Sequence, residues 1–75
     1  MTYTIQAQWD PEADVWLATS DQVPGLAIEA KTMEELVERL RAVVPELLEL
    51  NQSIRAGEEI VFQLRSERRE VVRAH

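Results

Sequence analysis

Polar and apolar residues alternate strictly from Thr2 to Trp9, in the order T-Y-T-I-Q-A-Q-W. A period of two puts Tyr3, Ile5, Ala7 and Trp9 on one face of a strand and Thr2, Thr4, Gln6 and Gln8 on the other. The first group is the expected core face, with Trp9 packed beside Ile5. Asp10-Pro11-Glu12-Ala13-Asp14 then supplies turn residues, Pro11 presetting its φ and offering no N–H to a ladder. A hairpin follows, and Val15 to Ser20 is its return strand, rich in β-branched and aromatic residues. Trp16 and Leu17 are adjacent, so the pattern leaves open which of them faces the core.

Pro24-Gly25 is a turn dipeptide whose glycine takes positive φ at little steric cost, and it leads into a short strand, Leu26 to Ala30. The period then changes. Thr32 is the strongest helix-start signal in the chain: its hydroxyl can accept from the N–H three residues on, where Glu35 can reach back to complete a T-x-x-E capping box. Leu36, Leu40, Val43, Val44, Leu47 and Leu48 recur at helical spacing, while Glu34, Glu35, Glu38, Arg39 and Arg41 occupy other faces. Pro45 removes one helical hydrogen bond and crowds the preceding turn, so a kink or restart is expected within a helical region from Met33 to about Leu50. Asn51 to Gly57 is its exit. Glu59 to Arg65 alternates again, with Ile60, Phe62 and Leu64 on one face, and Val71-Val72 either extends this strand or adds a dimer contact.

The predicted architecture is therefore α+β: a two-layer βββαβ plan, with an antiparallel sheet and one kinked helix packed on one face. The 75 residues form a single domain with a small core, and no repeat, linker or separate DNA-binding domain is evident. With no cysteine there is neither a disulfide framework nor a thiolate metal site. Self-association, as a dimer, is the expected remedy for so small a core, and a reducing cytoplasmic setting fits. No apolar run reaches the roughly 20 residues of a membrane span, and the amino terminus has none of the regions of a secretory signal.

Charge divides the chain. Residues 1–50 carry ten acidic and three basic side chains, a balance of −7; residues 51–75 carry four and five, a balance of +1, and together these make the net −6. An acidic surface repels phosphate backbones, so direct nucleic-acid binding by this chain is not expected, whereas a basic protein partner would be steered towards it. Solubility is the blander reading of the same charge.

Little in the sequence points to chemistry. Asp10, Glu12, Asp14 and Asp21 fall in predicted turns, where acidic residues are routine and lack the rigid support that a catalytic or metal-binding carboxylate needs. His75 is the single histidine and stands last, and the two glycines, Gly25 and Gly57, cannot form a phosphate-binding loop. The expectation is no enzyme activity, no cofactor and no metal. Candidate partner-binding residues are Trp16, as an aromatic anchor, Asp21, and the helix face bearing Glu34, Glu38 and Arg41. Pro24, Gly25, Thr32 and Glu35 are expected to serve structure.

The segment W-L-A-T-S-D-Q-V-P-G-L from Trp16 to Leu26, followed by E-A-K-T-M-E-E-L from Glu29 to Leu36, resembles the HicB-like antitoxins and a related group of short uncharacterised bacterial domains. An aromatic strand, an apolar-Pro-Gly corner, a strand and a helix opened by Thr and an acidic pair occur there in this order. The P-E-L-L-E-L run from Pro45 to Leu50 is closer to the short domains. The resemblance implies an antitoxin-like module that binds and masks a small basic RNA-cleaving toxin of the HicA kind. Repression of the operon, in HicB proteins the work of a further carboxy-terminal segment, is not expected of this chain. Two departures stand out: Gln22, with Asp21 before it, replaces the usual acidic residue ahead of the corner, and Leu26 stands where many HicB sequences have cysteine. A stand-alone structural domain that self-associates through a sheet edge is the alternative.

Overall fold

The computed structural model describes residues 2–75. Three strands come first: β1 (Thr2–Asp10), β2 (Val15–Thr19) and β3 (Ala27–Ala30). Helix α1 (Met33–Leu50) and strand β4 (Val61–Glu67) follow, and the sheet order is β3-β2-β1-β4. The α+β architecture read from the sequence is thus the architecture observed. One part of that reading is corrected: β1, β2 and β3 are antiparallel neighbours, but β4 runs parallel to β1, so the sheet is mixed. The cause is the single helix. It carries the chain back along the sheet, so β4 must run in the direction of β3, and two antiparallel steps make β3 and β1 codirectional.

The first hairpin closes on its own side chains. Asp10 Oδ1 accepts hydrogen bonds from the N–H groups of Glu12 (3.0 Å) and Ala13 (3.3 Å), and Asp14 completes the turn at φ 55°. Its register pairs Trp9 with Trp16 and Ala7 with Ala18, which resolves the open question in β2. Trp16 lies on the face that carries the helix, and Leu17 on the other.

At the corner, Val23, Pro24, Gly25 and Leu26 form a turn closed by a 3.2 Å bond from Leu26 N–H to the Val23 carbonyl, with Gly25 at φ +83°. Val23 and Leu26 are buried on either side of it, so the corner plugs the core rather than skirting it. Asn51, at the far end of the helix, donates from Nδ2 to the carbonyls of Leu47 (2.8 Å) and Pro24 (3.4 Å) and ties the two together.

Thr32 caps α1 as expected, its Oγ1 accepting from Glu35 N–H at 3.1 Å. The expected box is only half formed, because the Glu35 carboxylate turns down the helix to Arg39 at 2.8 Å instead of back to Thr32. The helix continues through Pro45, whose missing N–H would have bonded the carbonyl of Arg41, an exposed residue. Leu36, Leu40, Val44 and Leu48 are fully buried along one stripe; burying each leucine is worth about 1.5–3 kcal/mol. The helix ends in a Schellman arrangement: Ser53 N–H bonds the Leu48 carbonyl (2.8 Å), Gln52 N–H bonds that of Glu49 (3.0 Å), and Gln52 adopts φ 59°.

The helix lies over β2 and β3 and leaves the β1–β4 half of the sheet less covered. Ile5 and Ala7 are buried, but Phe62 and Leu64, beside Tyr3 and Ile5 on β4, are only partly so. Trp9 is corrected likewise: it is half-buried at the margin and stands outside the core cluster, beyond the reach of the helix. The molecule measures 56 × 20 × 18 Å, and its radius of gyration of 14.3 Å exceeds the roughly 11 Å of a compact chain this long. Residues 68–75, exposed throughout and without regular structure, form an arm beyond β4.

Candidate functional site

Helical geometry assembles one open surface on the outer side of α1. Glu34, Glu38 and Arg41 stand four and three residues apart, and Met33 and Val37 share a neighbouring row, so the five line one open hollow on the outer face of α1. Val37 and Arg41 also form one wall of an adjoining groove whose opposite side is Ile60, Val61, Phe62 and Leu64 of the last strand and its approach. Hollow and groove are therefore continuous. The result is an apolar floor, available because the helix is displaced towards β3, beneath a rim carrying two carboxylates and one guanidinium.

The flank of the helix on the β3 side differs. Arg39 donates from Nη1 to the Glu29 carbonyl at 2.8 Å and from Nη2 to Glu35, which binds the helix to the edge strand. The outward carboxylates Glu34 and Glu38 have no such partner among the described hydrogen bonds and are exposed.

Other sequence candidates do not join this surface. Trp16 is half-buried, stacks edge-on against Trp9 with centroids 5.4 Å apart, and packs on the core. Asp21 is exposed in the bend after β2, at the end of the sheet away from the start of α1. Beside it, Ser20 Oγ donates to the Thr4 carbonyl (2.6 Å), and Gln22 Oε1 accepts from Thr4 N–H (2.6 Å). These two side chains satisfy β1 where β2 has already turned away, a structural use of Ser20 and Gln22. Sequence reasoning missed Met33, Val37 and Phe62 as part of the surface. The available signal was Val37, an apolar residue off the Leu36–Leu40–Val44–Leu48 stripe.

Among the described residues no group of three or more His, Cys, Asp or Glu side chains is placed to hold a metal ion, and no helix is long and apolar enough to cross a membrane. Of the acidic turn residues, Asp10 is engaged in its own turn.

The profile of DUF1902, a domain of unknown function, matches residues 2–75. The chain belongs to the DUF1902 family. This DUF1902 domain is also similar to the crystal structure of the hypothetical protein TTHA1013 from the extremely thermophilic bacterium Thermus thermophilus. That similarity has 46% identity and a TM-score of 0.69, and it covers 99% of this chain and 100% of the other. No curated protein matches this DUF1902 chain.

Proposed function

We propose that this DUF1902 domain is a protein-binding module of the antitoxin type, acting in the cytoplasm, whose acidic helix face and adjoining groove seat a small basic RNA-cleaving toxin and cover its RNA-contacting surface. The observation that carries the reading is the continuity of the Glu34–Glu38 rim with the apolar floor of Val37, Phe62 and Leu64. An apolar floor supplies contact energy, and unpaired carboxylates above it favour a basic partner over an acidic one and speed its approach. The excess of acidic groups in residues 1–50 works in the same direction. The HicB-like order of strand, Pro-Gly corner and capped helix supports the antitoxin class.

Co-expression with the neighbouring reading frame tests the proposal. The expected outcome is a small basic product, toxic alone, that co-purifies with this chain. Reversing Glu34 and Glu38 together to lysine should slow association and flatten its salt dependence. Unchanged affinity and salt slope would exclude this face as the contact. A neighbour that is neither toxic nor bound would overturn the antitoxin reading.

A further inference from the structure

The two edges of the sheet are not equivalent. At β3 the strand is four residues long, and Arg39 of the helix occupies the Glu29 carbonyl. At β4 the strand is seven residues long and free of proline, and among the described residues no strand or side chain pairs with its outer edge. An edge of this kind is a template for another strand.

The arm prolongs that edge. Just beyond the last register pair, Gln8 with Glu67, the Arg68 guanidinium carbon lies 4.2 Å from the centre of the Trp9 ring. Arg68 Nε then meets Glu70 at 2.6 Å, a contact between residues two apart, as on one face of an extended chain. Val61, Val71 and Val72 are 50%, 90% and 88% exposed, so three of the four exposed large apolar residues in the described chain fall on this one stretch.

We infer that the β4 edge and the arm pair antiparallel with the same segment of a second copy about a two-fold axis through Ser66, making one continuous eight-stranded sheet with both helices on one face. A two-fold antiparallel pairing sets residue Ser66 opposite itself and every other residue opposite its mirror position. In this register Arg65 faces the partner's Glu67, and the partner's Arg65 faces Glu67. Val61 meets the partner's Val71, and Ile60 meets the partner's Val72. The exposed valines are thereby covered, opposite charges are matched twice, and the residue on the axis is small and uncharged. Moving the axis by one residue would place Glu67 against Glu67, or Arg65 against Arg65. This inference does not rest on the partner proposed above, whose carboxylates lie on the helix.

The chain has no cysteine, so a single introduced thiol reports on the axis. Under mild oxidation Ser66→Cys should give a covalent dimer rapidly, because directly opposed residues fall within disulfide reach, whereas Gln63→Cys, well removed from its own copy, should not. In sedimentation equilibrium the parent chain should dimerise. Arg65→Glu or Glu67→Arg should each raise the dimer dissociation constant about tenfold, and the R65E/E67R pair should restore it. A parent that is monomeric at all concentrations, a dimer in which Ser66→Cys crosslinks no faster than Gln63→Cys, or charge reversals without rescue would each overturn the proposal. Toxin capture by the E34K/E38K variant is read separately, so failure of one proposal does not carry the other.

Discussion

Trp9 and Trp16 stand directly opposite each other on β1 and β2, and their rings meet edge-on, with centroids 5.4 Å apart and planes at 64°. The Arg68 guanidinium lies over the Trp9 ring, 4.2 Å from its centre. The pair thus stands at the end of the sheet where α1 begins, Trp16 packed on the core and Trp9 at the less covered β1 margin. A double-mutant cycle with Trp9→Leu and Trp16→Leu, read by urea unfolding, should give a coupling of about 0.5–1.5 kcal/mol. A coupling near zero would mean that each ring acts only by the area it covers. Arg68→Ala should shift the emission of Trp9 with a smaller loss of stability, because cation–π contacts at exposed sites are worth about 0.5–1 kcal/mol.

Thr4 presents both backbone polar groups to side chains rather than to a strand, Ser20 donating to its carbonyl and Gln22 accepting from its N–H. Removing Gln22 by Q22A leaves an N–H of a half-buried residue to find water, and the expected cost is about 1 kcal/mol. Hydrogen exchange should localise the effect: the Thr4 amide should lose protection in Gln22→Ala, while amides of the Trp9–Trp16 end should be unchanged. Equal acceleration at both ends would show that the clamp stabilises only the molecule as a whole.

Both helix termini give predictions of opposite sign. Thr32→Ala removes the 3.1 Å cap on Glu35 N–H and should destabilise by about 1 kcal/mol. Because Glu35 binds Arg39 rather than the Thr32 backbone, Glu35→Gln should cost no more than about 0.5 kcal/mol, the ordinary value of an exposed pair one turn apart. Gln52 holds the left-handed position of the Schellman ending at φ 59°, where glycine carries no Cβ penalty. Gln52→Gly should therefore stabilise by about 0.5–1 kcal/mol, and a loss in thermal melting would refute the conformational argument.

How far these features can be read from the chain depends on their range. The cap at Thr32, the glycine at φ +83° and the periods of β1 and α1 are local, and residue pattern suffices for them. The direction of β4 is not local. Alternation looks the same in a parallel and an antiparallel strand, and only the return path of the helix decides between them. The strand also begins at Val61 and ends at Glu67, two residues later than alternation suggests, because pairing with Thr2 to Gln8 sets its limits. The site divides in the same way. Helical spacing reveals the Glu34–Glu38–Arg41 stripe, whereas the groove beside it depends on how far the helix sits towards β3. No period in the sequence encodes that displacement, and so Trp9, expected inside, lies at the margin while Phe62 and Leu64 form an accessible floor.

That displacement makes the order of two core substitutions depart from side-chain size. Leu40 is fully buried between α1 and the sheet, and Leu40→Ala removes its contacts from a tightly filled space, at an expected cost of about 2–5 kcal/mol, roughly the range in which a domain this small unfolds. Phe62 is the larger side chain, and a fully buried phenylalanine would cost about 3–5 kcal/mol to truncate. It is only partly buried, because the helix covers β2 and β3 and not β4, so Phe62→Ala should cost less than Leu40→Ala, about 1–2 kcal/mol. Chemical denaturation of the two variants at concentrations low enough to keep the chains apart checks the order. If Phe62→Ala proves the more damaging there, the last strand is sealed within the monomer, and the groove that the partner reading requires does not exist.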